Sequence, residues 1–454
     1  MKIGQNGPAD MPGKRLISFR YMALRAFTAG ATLVVGLLQT FVFARVLTPE
    51  RFSLFIFVAA VSYSLYLADG GIVKVLFVNL RRRFLENRPF GGIANHATIV
   101  VGIYFALAAS ATLLCLFVLL GRSRSSLADS GELALFFLFN AVNLPWLALR
   151  NISIAIDEFF YFEALEAARR ALNMVALMAL LFGLPVLPFL IFLNGGWVAA
   201  IVAAMVRLRQ RRAIGGRLRH SIVHLTVFFR SNKRQLLSSA AHAISETYIY
   251  NFAYFLVPWL YGLGAPTIVF DTANKIFRSN YLIYSAICDL FVPRQTRAFN
   301  DNDAPTLIRA ILLAMAMGAV PLLFVVGILV FWHQPFFALL LGPAAVMPPE
   351  IVPILVILLT VALAKMVAYA VLIHCGFFAQ AARLGPVFVV AMTGASLLAI
   401  GLKLDIVGFM ALNAAGYTIG TTAAFIAMIR GPIRVASRAA DTPSAGDGKL
   451  SYTG

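Results

Sequence analysis

Long apolar segments recur along this chain and limit the folds that it can adopt. Of its 454 residues, 61% are hydrophobic and only 13% are charged, and the mean hydropathy is +0.85. A helix needs about 20 apolar residues to cross a bilayer, where it satisfies its own backbone groups. The sequence therefore predicts an all-α polytopic membrane protein with about twelve transmembrane helices. The segments are residues 22–44, 52–79, 92–120, 132–149, 168–184, 186–206, 236–261, 265–292, 306–332, 351–379, 384–402 and 405–429.

Lysine and arginine are distributed unequally among the connections between these segments. With the N-terminus inside, 28 of the 38 basic residues lie in cytoplasmic connections, 5 in external loops and 5 within the segments. Because basic loops favour the cytoplasmic side, this distribution predicts that both termini are cytoplasmic. Anionic lipid at the inner leaflet accounts for the net charge of +19, so no nucleic-acid partner is expected.

The longest basic connection separates six segments from six. The second segment of each half begins near a proline, Pro49 or Pro266, and ends at a basic cluster. Two parallel six-helix lobes around a central cavity would produce this repetition. The predicted organisation is a cytoplasmic N-terminal segment (1–21), an N-lobe (22–206), a basic cytoplasmic linker (207–235), a C-lobe (236–429) and a cytoplasmic tail (430–454).

The fifth and sixth segments form one apolar run that Pro185 and Pro188 divide into two short halves. Two helices are the favoured interpretation, and a single re-entrant element is the alternative. Residues 150–170, which contain three arginines, are expected to lie mainly in the cytoplasmic connection before this run.

Charged side chains recur on one face of the eighth segment, between Pro266 and Val292. Each ionised group at the bilayer centre costs about 2.5 to 3.5 kcal/mol, so this face is expected to line a hydrated cavity between helices. Such a passage implies transport. Asp271 and Lys275 are four residues apart, however, and their pairing could simply neutralise both charges. The face carries Asp271, Lys275, Arg278, Leu282, Ser285 and Asp289.

Cations elsewhere in the segments extend the set of candidate ligands for an anionic group. Arg25, Lys74 and Lys365 join Lys275 and Arg278 in this set. Arginine is the better partner for phosphate because its planar fork donates two parallel hydrogen bonds. Arg25 lies near the start of its segment and could instead reach the inner interface.

Acidic residues and one histidine within the segments are candidates for ion coupling. Asp69 and Lys74 are five residues apart and do not pair simply, which favours Asp69 as a separate proton or cation site. His242 and Glu246 share a helical face at a spacing of four, which suits a proton relay, although a simple hydrogen bond is favoured. The complete set is Asp69, Glu246, Asp271, Asp289 and His242.

The sequence gives little indication of catalysis or of metal binding. Cys115, Cys288 and Cys375 are scattered, and no His, Cys, Asp and Glu residues have metal-site spacing. A phosphate-binding loop motif is absent, so ATP hydrolysis is not expected. A membrane glycosyltransferase, polymerase or ligase would need a larger external loop than residues 333–350. The chain is therefore expected to be no enzyme and to need no cofactor.

Two stretches carry a resemblance to a known family. Residues 42–78 contain Arg45, a Pro-Glu-x-Phe turn and a late glycine pair, and residues 267–299 close with Val-Pro-Arg. They resemble the second and eighth helices of polysaccharide (O-antigen type) flippases. These flippases belong to the multidrug/oligosaccharidyl-lipid/polysaccharide exporter superfamily. Gly70 and Gly71 replace the Leu-Gly pairing that is more usual there.

The resemblance implies a transporter of the bacterial inner membrane. Its substrate would be an undecaprenyl-diphosphate-linked oligosaccharide, flipped from the inner to the outer leaflet by alternating access. Ion coupling is expected, with H⁺ or Na⁺ as the candidate ions and a substrate gradient as the alternative drive. Membrane lipid and polysaccharide-assembly membrane proteins are the other expected partners. A drug/cation antiporter of the same superfamily is the alternative, and its cavity should be dominated by acids and aromatic rings rather than by cations.

Overall fold

The regular secondary structure of the chain is helical throughout the described residues. The structure, a computed structural model, describes residues 19–122, 127–215, 226, 228–230 and 232–441. The predicted all-α fold is confirmed. The chain divides into two units, one ending at Thr247 and the other beginning at Tyr248.

The first unit contains eight complete helices in its described part and the first half of a ninth. A 3₁₀ segment, Ser64–Asp69, separates the second helix from the third. The helices are α1 (Phe19–Val46), α2 (Pro49–Tyr63), α3 (Ile72–Leu85), α4 (Gly92–Arg122), α5 (Leu127–Ala141), α6 (Asn143–Ala155), α7 (Phe159–Leu181), α8 (Val186–Gln210) and α9 (Lys233–Tyr261).

The second unit begins within α9. Its final long helix continues through a π-helical turn, Ile429–Ile433, into a short terminal helix. The helices are α10 (Ala265–Asn300), α11 (Ala304–Phe331), α12 (His333–Leu341), α13 (Ile351–His374), α14 (Phe378–Gly401), α15 (Ile406–Met428) and α16 (Arg434–Asp441).

Eight helical stretches in the described residues are long and apolar enough to cross a membrane, which makes the chain a multi-pass membrane protein. Of the other four predicted segments, that of α1 has a shorter apolar stretch in the described residues, Gly30–Val46. Those of α7, α9 and α10 are helical but do not reach the same apolar character. Polar and charged residues interrupt each of them. The least apolar helices are therefore the ones that carry most of the candidate residues.

The predicted segment 52–79 is broken in the middle. The chain turns at Gly70 and Gly71, whose φ angles of 48° and 77° are accessible to glycine at little cost. The buried carboxylate of Asp69 accepts hydrogen bonds from the backbone N–H groups of Gly71 and Val73, both at 3.1 Å. Tyr104 of α4 donates a third hydrogen bond to it, at 2.6 Å. The break is thus capped from within the unit.

The fifth and sixth predicted segments are two separate helices, α7 and α8, so the re-entrant alternative is wrong. Four residues, 182–185, connect them, and Pro185 has the extended conformation that precedes a helix (φ −61°, ψ 153°). The bounds predicted for the segments on either side of residues 150–170 are also wrong, while the cytoplasmic position of this range stays a prediction. Because α6 runs to Ala155 and α7 begins at Phe159, most of that range is helical and the connection has only three residues.

Close packing joins α14 and α15 in the second unit. A side chain at Gly416 would place its Cβ 2.9 Å from the carbonyl oxygen of Ala391, and one at Gly420 would collide with the ring of Phe388. Only glycine therefore lets the two helices approach this closely. The same contact presses Phe388 towards the interior of the unit, where it is fully buried beside Lys365 of α13.

Candidate functional site

The charged face predicted for the eighth segment lies on α10. Gly264, with a φ angle of 128°, precedes this helix, and Pro266 occupies its first turn, where a missing N–H costs nothing. Lys275 forms an ion pair with Asp271 at 2.7 Å. Tyr254 of α9 donates a hydrogen bond of 3.0 Å to the other oxygen of this carboxylate. The Asp271–Lys275 pair therefore forms as its spacing allows, and it is neutral.

Arg278 lies one turn further along α10 and contacts neutral acceptors. Its Nη2 donates to the backbone carbonyl of Tyr250 at 2.5 Å and to Oδ1 of Asn251 at 2.7 Å. The guanidinium carbon lies 5.4 Å from the ring centroids of both Tyr250 and Tyr254. No carboxylate lies within ion-pair distance of Arg278 among the described residues, and its Nε is buried there without an acceptor. Arg278 thus retains an uncompensated positive charge.

Lys365 on α13 is fully buried inside a group of aromatic rings. Its Nζ donates to the phenol oxygen of Tyr250 over 3.4 Å. Aromatic faces attract a cation through their negative potential, and this attraction is strongest where water is excluded. Five ring centroids lie between 4.8 and 5.4 Å from Nζ, namely those of Tyr250, Tyr281, Tyr369, Phe388 and Tyr417.

Tyr250 connects these two cations. Its carbonyl accepts from Arg278, its phenol accepts from Lys365, and its ring lies near both. Lys275 is linked to Arg278 through Tyr254, which contacts both the Asp271 carboxylate and the guanidinium. We call Lys275, Arg278 and Lys365 the cation cluster. Its net charge, with Asp271 included, is positive.

A cavity of about 60 Å³ lies beside the cation cluster in the second unit. That volume is sufficient for several water molecules. Its walls are mainly aromatic and aliphatic, with the amides of Asn274 and Asn413 as polar groups. Tyr250, Phe277 and Tyr417 contribute aromatic rings to it. The arrangement offers flat apolar surfaces and hydrogen-bonding groups next to positive charge.

The structure brings together four of the predicted site residues. Asp271, Lys275, Arg278 and Lys365 belong to one network in the second unit. Asp289 is on the same helix as three of them, but it is exposed and lies further along.

The remaining predicted residues belong to the first unit. Lys74 is exposed on α3, and Asp69 caps that helix. Glu246 is partly buried on α9. Arg25 lies on α1 and His242 on α9, and both side chains are outside the described part of the structure.

Sequence reasoning missed a second charged group, on α7. Glu166, Arg169 and Arg170 fall in the range that was expected to be mainly a cytoplasmic connection, yet Arg169 is only 4% exposed. The available signal was the spacing of three and four residues between one acid and two arginines, which is typical of ion pairs on a helix.

Comparison with solved structures identifies the fold. The chain is similar to an inward-facing multidrug resistance MATE family transporter of the MOP superfamily, with a TM-score of 0.63 and 14% identity over 92% of this chain and 99% of that one. For the Vibrio cholerae MATE transporter VcmN in its bent form, the TM-score is 0.60 with 12% identity, over 92% and 97% of the two chains.

A third similar structure is a MOP superfamily transporter from Pyrococcus furiosus, with a TM-score of 0.59 and 15% identity over 91% of this chain and 96% of that one. The binding pocket of that transporter has reverse polarity, which suggests a different function for that protein. No protein-family model and no curated protein matches the sequence. The chain therefore has the fold of MATE family transporters, at a level of identity that establishes the fold alone.

Proposed function

We propose that this protein is a lipid-linked oligosaccharide flippase. It moves an undecaprenyl-diphosphate-linked oligosaccharide from the inner to the outer leaflet of the bacterial inner membrane by alternating access. The observation that carries the proposal is the positive charge of the cation cluster, in which Arg278 has no carboxylate partner among the described residues. The fold supports a transporter, and the two stretches that resemble polysaccharide flippases support this substrate class.

The chemistry of such a cargo matches the groups around Arg278. A diphosphate and its sugars cannot enter hydrocarbon unaided, because each polar group that loses water without a new partner costs several kcal/mol. The guanidinium offers charge-assisted hydrogen bonds to phosphate. The aromatic rings and amides of the neighbouring cavity suit the apolar faces and hydroxyl groups of a sugar ring. Lys365 is fully buried, so it contributes by raising the positive electrostatic potential that acts on the cargo near Arg278.

A drug/cation antiporter is the second candidate, since the similar solved structures include multidrug transporters. An organic cation needs an available acid, but the acid of this network, Asp271, already contacts Lys275 and Tyr254. The reverse polarity described for the Pyrococcus furiosus transporter supports the idea that this fold accommodates pockets of different charge. We therefore favour the anionic cargo.

Ion coupling completes the proposed cycle. We assign it to the acidic candidates and the histidine, among which Asp69 has the most defined surroundings. Its carboxylate accepts three hydrogen bonds at the break between α2 and α3. A proton or cation that binds there would compete with these bonds and change the geometry of the break. Glu246, Asp271, Asp289 and His242 remain the other candidates.

The proposal is tested by replacing Arg278 with alanine in a strain that depends on this protein for surface glycan. Each hydrogen bond to a charged group is worth about 1.5 to 3 kcal/mol, so loss of even one to the cargo should lower affinity about tenfold or more. We expect surface glycan to be lost and the lipid-linked oligosaccharide to accumulate on the inner leaflet. Arg278→Lys should retain part of the activity.

Arg209→Ala is the matched control, because Arg209 is exposed at the end of α8. This variant should export glycan normally at the same protein level in the membrane. Normal export by Arg278→Ala would contradict the assignment of Arg278. Increased drug sensitivity of the deletion strain, without accumulation of the lipid-linked intermediate, would favour the antiporter.

A further inference from the structure

A cluster of three charged side chains lies on α7 in the first unit, and none of the three is assigned a role above. Arg169 donates from Nε to Oε2 of Glu166 at 3.1 Å and from Nη2 to Oε1 at 2.5 Å. Arg170 donates from its Nε to the same Oε1 at 2.9 Å. One carboxylate is therefore shared by two guanidinium groups, which we call the arginine pair.

The charges of this cluster do not balance. Glu166 is the one carboxylate that forms an ion pair with either arginine in the described part of the chain. The cluster therefore has a net charge of +1 in a largely buried position. A buried charge without a counter-charge is unfavourable, so an additional anion would be stabilised here.

An aromatic ring contacts one member of the arginine pair. The guanidinium carbon of Arg169 lies 3.8 Å from the ring centroid of Trp197 on α8, a distance typical of a cation–π contact. Tyr63 and Tyr66, at the start of the break after α2, stack with centroids 6.2 Å apart.

The guanidinium of Arg170 has hydrogen-bond donors without an acceptor among the described residues. Its Nε is occupied by Glu166, and its two terminal nitrogens have no hydrogen-bond acceptor among the described residues. The side chain is 21% exposed, whereas that of Arg169 is 3% exposed. Glu166 thus fixes the guanidinium through one edge, and the opposite edge keeps the two parallel donors that bind a phosphate oxyanion.

We propose that the arginine pair is a second anion site, in the first unit, that binds a phosphoryl group carried by a lipid. Arg170 provides the bidentate contact, Arg169 adds charge, and Glu166 competes with the incoming anion for both. The phosphoryl group belongs either to a diphosphate-linked lipid or to the headgroup of an anionic phospholipid. This site is separate from Arg278 and does not depend on the function proposed above.

The experiment measures binding of inorganic pyrophosphate to the full-length protein in phosphatidylcholine nanodiscs. Tryptophan fluorescence reports on the site because Trp197 contacts Arg169, and a Trp197→Phe variant identifies the part of the signal that comes from it. Arg170→Ala should weaken binding about tenfold or more, since it removes charge-assisted hydrogen bonds. Glu166→Gln should tighten binding, because the competing carboxylate is gone and the net charge rises.

These two opposite effects distinguish an anion site from a structural ion pair. A purely structural cluster predicts no pyrophosphate-dependent Trp197 signal, or one that neither substitution changes, and either result would overturn the proposal. Arg170→Lys keeps the charge but loses the fork, so it should give intermediate affinity and serves if Glu166→Gln fails to fold. Arg209→Ala should leave the Trp197 signal unchanged.

The lipid source is resolved by repeating the titration in phosphatidylglycerol nanodiscs. A lower apparent affinity for pyrophosphate that depends on Arg170 indicates that phospholipid headgroups occupy the site. An unchanged affinity that still depends on Arg170 indicates a preference for diphosphate. Binding that is independent of Arg170 in both lipids would refute the site.

Discussion

Replacing Lys365 with methionine should abolish transport while barely changing stability. The five aromatic contacts of the ammonium group, at about 0.5 to 1 kcal/mol each, contribute about 2.5 to 5 kcal/mol. Removing one ammonium group from water costs several kcal/mol, which nearly offsets this gain. Methionine has a similar volume and no charge, so we expect the free energy of unfolding to change by less than about 2 kcal/mol.

The assay compares the melting temperature of the purified variant in detergent with glycan export in cells. The Lys365→Met variant should melt close to the wild type but export at least about tenfold less glycan, because the potential beside Arg278 is lost. Lys365→Arg is the contrasting variant: it keeps the charge, but its larger group overfills a fully buried position and should destabilise the protein by about 1 to 3 kcal/mol. Full export by Lys365→Met would refute the role of this charge, and a large loss of stability would refute the estimated balance.

Two further predictions concern the first unit and the start of α11. Asp69→Asn should make export insensitive to an imposed ion gradient. It should also lower the free energy of unfolding by about 1.5 to 3 kcal/mol, because one hydrogen-bond acceptor of the side chain becomes a donor. An unchanged response of export to the gradient would exclude Asp69 as the coupling site. At the start of α11, hydrogen bonds from the hydroxyl and backbone N–H of Thr306 lower the pKa of the Asp303 carboxyl. Because its pKa is lowered in the folded state, the ionised carboxyl stabilises the fold at pH values above the ordinary Asp pKa of about 3.9. This stabilisation is lost as the pH falls through the lowered pKa. The stability difference between wild type and Asp303→Ala, measured by thermal unfolding, should therefore shrink below about pH 4; a constant difference would contradict the capping role.

The sequence was sufficient to predict the helices whose apolar runs are uninterrupted. It was insufficient at two places where polar contacts of side chains override hydropathy. The break at Gly70 and Gly71 depends on a hydrogen bond from Tyr104, which is distant in sequence. The helix α7 begins before its apolar run, in a stretch where Glu166 forms ion pairs with Arg169 and Arg170.

The candidate site was also predicted only in part, because spacing along one helix indicates local contacts but not contacts between helices. The i,i+4 pair of Asp271 and Lys275 is a local feature, so its spacing was enough to suggest it. The surroundings of Lys365 are not local, because four of its five aromatic neighbours come from other helices. Only Tyr369, one turn away on α13, could have been expected beside it from spacing.

Tyr250 has a consequence for how the second unit can change state. The guanidinium of Arg278 and the ammonium of Lys365 are both hydrogen-bonded to this one residue, through its main chain and its side chain respectively. A twist of α9 about its own axis at this point would change the geometry of both hydrogen bonds together. A small rotation there would shift both positive groups in the same event, so the positive potential that acts on a bound anion would change in one step rather than in two.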